Sequence, residues 1–298
     1  MNEFLDVAIA AAREAGAVLL AEHSRPQKIT YKGDVDLVTE TDKRSEAIVV
    51  GRLRREFPDH RIVAEEGSGG ATAASPYEWH VDPLDGTTNF AHGYPCFAVS
   101  IALLEDGVPL VGVVFNSIAD ELFSAARGQG AFLNQKPIHV SSAERMAVSL
   151  VATGFPTHKR GDNLNIHYYW HFTLNSHGVR RDGSAALDLC SVACGRFEAF
   201  WEFGLKSWDT AAGILIVSEA GGKVTDLSGG PYRPGGPDLL VTNGHIHAEM
   251  QQMMAEIATR ANIKLYHARP FDELDARAKI DAPHAAMLAW PNLLDARC

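Results

Sequence analysis

Two carboxylates, Asp82 and Asp85, stand three residues apart in the run Glu78-Trp79-His80-Val81-Asp82-Pro83-Leu84-Asp85-Gly86-Thr87-Thr88-Asn89-Phe90. Pro83 fixes its own φ near about −65° and keeps Asp82 extended. Gly86 permits a tight turn or a close approach to a ligand. Thr87, Thr88 and Asn89 are good helix N-cap types. Paired acids beside free backbone N–H groups suit a divalent cation and a phosphate together. The same residues also describe an ordinary acidic turn that caps a helix, and taken alone they leave both readings open.

Two more acids occupy comparable places. Glu65 ends the apolar run Ile62-Val63-Ala64, and Asp209 follows Trp208 at a helix start. Strand ends and helix starts are where side chains from separate elements converge on a cleft. Four carboxylates brought together would repel one another. A cation removes that repulsion, and oxygen-only donors favour Mg²⁺, Mn²⁺ or Ca²⁺ over zinc. The chemistry such a site suits is phosphate-ester hydrolysis, because divalent cations neutralise the phosphate, activate water and stabilise a poor alkoxide leaving group. No Ser-His-Asp or Cys-based nucleophile pattern is visible, so the expectation is direct in-line attack by water.

The elements that must position these acids read as follows. Apolar residues at helical spacing (Leu5, Ala8, Ile9, Ala12, Ala15, Leu19) predict a helix over 3–22. A second helix spans about 41–57, with Thr41 as its cap and Pro58 at its end. Strands are expected at 29–32, 61–64, 79–81, 97–104, 110–116, 121–126, 148–153, 179–181, 197–203, 223–225 and 239–242. Gly128, Gly130 and Asn134 read as turns. Further helices are expected at 184–194 with Ser184 as cap, at 208–219, and at 246–261. Residues 155–176 are rich in aromatics and histidines (His158, His167, His171, then His177), read as partly exposed helix and loop residues rather than a metal cluster. The strands are mostly antiparallel and show no regular βαβ period, so the class is α+β.

The chain has 298 residues, a formal net charge of −10, 46% hydrophobic and 21% charged residues. This is a globular composition with a sizeable core. Its acidity disfavours generic binding to nucleic acid or anionic membranes. No apolar run reaches about 18 residues, so no membrane span is expected. The N-terminus lacks a signal-peptide pattern. Four scattered cysteines without a C-x-x-C pair fit a reducing cytoplasm, with Cys190 and Cys194 read as small core residues.

Five ordered motifs resemble the inositol monophosphatase family: Asp82-Pro83-Leu84-Asp85-Gly86-Thr87-Thr88-Asn89-Phe90, Trp208-Asp209-Thr210-Ala211-Ala212-Gly213, Ala64-Glu65-Glu66, Val38-Thr39-Glu40-Thr41-Asp42 and Gly183-Ser184-Ala185-Ala186-Leu187-Asp188. The resemblance runs from about residue 5 to about 260 and implies a layered α/β/α/β/α sandwich. It implies one catalytic domain over 1–262, with two intimately packed subdomains that break near 145–150, and an appendage over 263–298. It implies two to three Mg²⁺ ions held by Glu65, Asp82, Asp85, Asp209 and the Leu84 carbonyl. Asp42, Glu65 and Thr87 match residues at the nucleophilic water. Lys32, Asp85, Gly86, Thr87, Ser184, Ala185, Glu202 and Asp209 match residues around the substrate. Asp188 reads as a charge on the helix face, and Lys206 as a candidate contact. The expected activity is Mg²⁺-dependent hydrolysis of a small polyol phosphate, with inositol 1-phosphate first. Histidinol phosphate and fructose 1,6-bisphosphate are alternatives within the family, and a non-catalytic, protein-binding regulator is the alternative of a different class. Lithium sensitivity and a homodimer are also implied by the family.

Overall fold

The computed structural model describes residues 3–25, 29–31, 37–67, 70, 75–155 and 165–260. Lys32, His158 and the segment 263–298 lie outside the described residues. In chain order the elements are α1 (Glu3–His23), β1 (Ile29–Tyr31), β2 (Leu37–Thr39), α2 (Glu40–Glu56), β3 (Arg61–Ala64), β4 (Tyr77–Asp85), α3 (Thr87–Ala91), β5 (Ala98–Glu105), β6 (Val108–Asn116), β7 (Glu121–Ala126), β8 (Ala131–Leu133) and β9 (Lys136–Ile138). They continue with β10 (Leu150–Thr153), α4 (Asn165–Asn175), β11 (Gly178–Arg180), α5 (Ala185–Ala193), β12 (Ala199–Phe203), α6 (Ser207–Glu219), β13 (Lys223–Thr225), β14 (Asp238–Thr242) and α7 (His247–Arg260).

Two large sheets organise the described chain. Strands β3 to β9 form one sheet in sequence order, and the other has the order β11-β10-β12-β14-β13. In the first sheet β3 and β4 run parallel and the remaining neighbours are antiparallel. In the second, β10 runs parallel to both β11 and β12.

Burial explains the layering. Ala8, Ala12, Ala15 and Leu19 of α1 and Val49 and Leu53 of α2 pack on Trp79, Val81, Ile101 and Val113 from one face of the first sheet. The other face supplies Ala98, Ala102, Val114 and Phe123 to a second core. That core contains α5, α6 and the inner face of the second sheet, through Ala152, Phe200 and Val241. Tyr168 and Phe172 of α4 and Met250 and Met254 of α7 cover the outer face, against Val151, Trp201 and Leu240. Helices α5 and α6 are therefore apolar nearly all round, as elements buried between two sheets must be. The arrangement is the α/β/α/β/α stack that the motifs implied.

Three local features differ from the sequence reading. Thr39, not Thr41, caps α2: its hydroxyl accepts the Thr41 and Asp42 N–H groups, and Asp42 bonds back to the Thr39 N–H at 2.8 Å. This is a reciprocal capping box, with aspartate in the place usually held by glutamate or glutamine. Residues 131–138 form the hairpin β8–β9, where glycines and Asn134 suggested turns alone. Strand β4 runs to Asp85, so Asp82 and Asp85 belong to the strand's end and do not follow it.

Cys190 is fully buried, Cys194 is partly buried, and both are free thiols, as is Cys96. His167 and His171 are partly exposed on α4 and His177 is exposed. No helix among the described residues is long and apolar enough to cross a membrane.

Candidate active site

The end of β4 is built by short-range chemistry. Asp82 pairs with Ser100 on β5 and Asp85 with Ala98, with a register shift between them. Pro83, which has no N–H to give a ladder, sits within that shift. The Asp82 side chain accepts the Leu84 N–H at 2.9 Å, an Asx turn that bends the strand end. Gly86 follows with φ of +97°. A Cβ there would lie 2.8 Å from the Cys96 carbonyl oxygen, so glycine is required both by conformation and by space. Asn89 then donates to the Cys96 and Asp182 carbonyls, each at 2.7 Å, which ties α3 to β5 and to the loop before α5.

Helix α2 holds two of the converging loops. Ser45 donates to the Pro83 carbonyl at 2.7 Å. The buried carboxylate of Glu46 accepts the Glu66 N–H at 2.6 Å and the Glu65 N–H bonds the Val81 carbonyl, so the turn carrying Glu65 is fixed beside Asp82.

Asp42 is fully buried, with both carboxylate oxygens engaged. One accepts the Thr39 N–H and hydroxyl, at 2.8 and 2.5 Å. The other lies 3.0 Å from the Thr87 hydroxyl, which is also 3.1 Å from the Leu84 carbonyl. One hydroxyl has one proton, so Thr87 can donate to either acceptor and keeps its lone pairs for another donor. Burial raises the Asp42 pKa, and its hydrogen bonds to Thr39 and Thr87 oppose that.

Asp85 also serves as an anchor. Its Oδ2 accepts the Ser184 hydroxyl at 2.5 Å and the Ala186 N–H at 2.7 Å, at the start of α5. Burial raises its pKa to about 6 against these bonds and one from Ala185. Asp209 accepts the Lys206 N–H at 2.7 Å and so caps α6 while facing the other acids. Burial, then the charge of Asp85, push it up to about 8, opposed by hydrogen bonding with Lys206 and with Asp82. Asp82 is pushed well above the usual carboxylate range by burial, then by Glu65, Asp85 and Asp209. The four acids are thus electrostatic neighbours at the ends of β3 and β4 and the start of α6, and Asp82, Asp85 and Asp209 are pushed toward protonation.

Glu202 comes from the second sheet. It lies on β12, a central strand, and is buried against Gly154, where a Cβ would collide with its carboxylate. Burial, then the charge of Asp209, raise it to about 8, with Arg181 acting in the opposite sense. Asp188, read from the sequence as a helix-face charge, is only 2% exposed. Burial and the charges of Asp182, Glu202 and Asp85 raise it well above its ordinary value. It belongs with the carboxylates near the cleft, and nothing in its helical spacing marked it, because the spacing does not tell which face is enclosed. Lys206 is exposed to solvent.

Among the described residues no three His, Cys, Asp or Glu side chains close around one point tightly enough to cage an ion unaided. The donors nevertheless fit a hard divalent cation. They are all oxygens and acidic, and Asp82 and Asp209 are pulled toward protonation by burial and by the neighbouring carboxylates, which is the electrostatic state a shared cation would reverse. Mg²⁺ retains several waters and completes its shell with substrate phosphate, so it suits an open ring of carboxylates better than a closed cage.

Residues 1–264 match the family model described as "Inositol monophosphatase family". The chain is 45% identical over 258 residues to an inositol-1-monophosphatase of Synechocystis sp., covering 86% of this chain and 90% of that one. It is 42% identical over 261 residues to a putative Nus factor SuhB of Neisseria meningitidis, covering 86% of this chain and 99% of the relative. Among solved structures it resembles an inositol monophosphatase from Anabaena (Nostoc) sp., with a TM-score of 0.77 and 45% identity, over 85% of this chain and 95% of that chain.

Proposed function

Because the chain belongs to the inositol monophosphatase family, whose activity is phosphoric monoester hydrolysis, we propose that it hydrolyses a small polyol phosphate, inositol 1-phosphate foremost, with Mg²⁺ as cofactor. The observation that carries this reading is the convergence of Glu65, Asp82, Asp85 and Asp209 beside a second buried carboxylate, Glu202, on a different sheet. One set suits cations and phosphate, and the other suits hydroxyl groups.

Glu65, Asp82, Asp85, Asp209 and the Leu84 carbonyl would hold two cations, with Asp42 helping a third through water. Bound there, they would supply Lewis acidity and neutralise the phosphate. Asp42 and Thr87 orient the attacking water, with Glu65 on the same side. The Thr87 hydroxyl turns between Asp42 and the Leu84 carbonyl and can accept a hydrogen bond from that water while donating to Asp42. The water oxygen bonds to phosphorus as the bond from phosphorus to the polyol oxygen breaks. The water's proton leaves toward Asp42, and a proton from solvent reaches the departing alcoholate. The Gly86 and Thr87 amides receive phosphate oxygens at the turn after β4. Glu202 accepts hydrogen bonds from ring hydroxyls, with Ser184 and Ala185 lining the same pocket; Lys32, outside the described residues, matches a basic residue near the site in the family.

A phosphate-release panel with Mg²⁺ across inositol 1-phosphate, histidinol phosphate and fructose 1,6-bisphosphate tests the substrate. The highest kcat/KM is expected for inositol 1-phosphate. In Glu202→Gln assayed at pH 9, above the value of about 8 to which burial raises Glu202, that kcat/KM falls roughly 10- to 100-fold, since a hydrogen bond to a charged group is worth about 1.5–3 kcal/mol. p-Nitrophenyl phosphate, which lacks the hydroxyls, is hydrolysed nearly as before. Equal losses on both substrates would remove Glu202 from the pocket. A second reading, a regulator acting through a protein partner, is favoured only by relatives named Nus factor SuhB. No phosphate release from any substrate would move the assignment there.

For the homodimer implied by the family, the surface we propose is the exposed apolar face of α4. Ile166, Trp170 and Leu174, four residues apart, are 53%, 54% and 66% exposed in one stripe. A second copy of this chain is assigned to that stripe. Sedimentation should give a dimer for the wild type and a monomer for Trp170→Glu; a dimer in both would place the interface elsewhere.

A further inference from the structure

We propose that His80 is a positioning residue that sets the place of Asp209 through Ser207, an inference that rests on reading the site as a metal centre. Glu78, His80 and Asp82 alternate onto one face of β4, the face that α6 covers. His80 Nδ1 lies 2.8 Å from the Ser207 hydroxyl, across 127 residues of sequence. Ser207 is the first residue of α6, two positions before Asp209. Directly beside this contact, Ser100, the β5 partner of Asp82, donates to the Trp208 carbonyl at 3.2 Å. Successive residues of the first turn of α6 are thus pinned to β4, which carries Asp82 and Asp85, and to its neighbour β5. Asp209 is the next residue and bonds back to the Lys206 N–H.

The imidazole is held from its other side as well. His80 Nε2 is 2.9 Å from Glu78, and Glu78 lies 2.6 Å from Arg61 on β3. A carboxylate only accepts, so Nε2 carries the proton toward Glu78. In the neutral ring Nδ1 then accepts from the Ser207 hydroxyl. The ring is 6% exposed, which removes competing water. The chain Arg61–Glu78–His80–Ser207 therefore runs from the edge strand of the sheet to the start of α6.

Apolar packing holds α6 against the sheet without specifying its position along the helix axis as closely as a directional bond does. A small slide along that axis would carry Asp209 with it. A ligand carboxylate must be held within about 0.5 Å. The His80–Ser207 and Ser100–Trp208 bonds oppose that slide where Asp209 needs it. Groups that orient metal ligands from behind typically matter by about 10- to 100-fold in metal affinity or activity.

The test compares metal-stripped wild type with Ser207→Ala, His80→Leu and His80→Asn. Mn²⁺ binding is measured by calorimetry, melting is followed in EDTA, and turnover is titrated with Mn²⁺. Ser207→Ala and His80→Leu should weaken the Mn²⁺ site that Asp209 serves about tenfold and shift the Mn²⁺ midpoint of turnover by the same factor, with kcat at saturating Mn²⁺ within about threefold of wild type. His80→Asn, whose side-chain oxygen can take the place of Nδ1, should recover most of the Mn²⁺ affinity. Unchanged Mn²⁺ affinity in Ser207→Ala would overturn the proposal, whatever the melting temperature does. Should His80→Leu fail to fold, Ser207→Ala decides alone. A wild type that binds no Mn²⁺ would remove the metal reading and this one with it.

Discussion

Asp82→Asn and Asp209→Asn should each lower kcat by about a thousandfold or more while the protein stays folded. Asparagine keeps the shape and one acceptor oxygen, so it can still receive the Leu84 N–H at position 82 or the Lys206 N–H at position 209. What it loses is the charge that would hold a cation opposite the phosphate. Removing about 4 kcal/mol of transition-state stabilisation gives the thousandfold loss. The same substitutions should raise the melting temperature in EDTA at pH 8. A carboxyl group whose folded pKa is raised contributes stability at pH below its unfolded value and loses it as pH rises through the folded value. Asp209, pushed up to about 8, therefore weighs against the metal-free fold at that pH, and asparagine does not. Each ~1 kcal/mol recovered shifts melting by roughly 2–4 °C in a chain of this size. Wild-type turnover in either variant would sink the mechanism. Lower melting in EDTA would show that these carboxylates do not repel one another.

The second large effect is the response of the metal-free protein to Mg²⁺. At a hundred times its Kd, one bound ion contributes about 2.7 kcal/mol, so melting at pH 8 should rise by roughly 5–10 °C per site filled. The gain should shrink as pH falls. Asp209, pushed up to about 8, and Asp85, pushed up to about 6, hold protons at lower pH that a cation must displace. Mg²⁺ addition at pH 7 in a weakly buffered solution should accordingly release protons, and the thermal gain should be nearly gone by about pH 5. A gain that stays constant from pH 8 to pH 5, with no proton release, would disconnect Mg²⁺ from these carboxylates.

The acids at the ends of β3 and β4 and the start of α6 are readable in the linear chain because the rules that place them are short-range. Pro83 interrupts a ladder, Gly86 alone tolerates its φ, and Asp209 caps its own helix three residues from Lys206. Asp209 is at once the acceptor for the Lys206 N–H and an electrostatic neighbour of Asp85 and Glu65, so a capping acid and an acid of the cleft look alike in the linear chain. Lys32, also named from the motifs, lies outside the described residues.

Other features depend on which faces meet. Glu202 sits in a strand that is buried on both sides, so its run Ala199-Phe200-Trp201-Glu202-Phe203 has no polar–apolar alternation to say where the carboxylate faces. Asp188 is a polar residue on a helix enclosed between two sheets, and helical spacing cannot reveal enclosure. The hairpin β8–β9 is made of three-residue strands, too short for a period to register. The chain by itself determined the kind of chemistry, since residue type and local backbone rules set which atoms can bind a cation and a phosphate. Tertiary structure decided which carboxylates share a cleft, and which histidine, 127 residues away in sequence, pins the helix that carries one of them. Those are properties of distance in space, and burial and like-charge repulsion act only once the layers have closed.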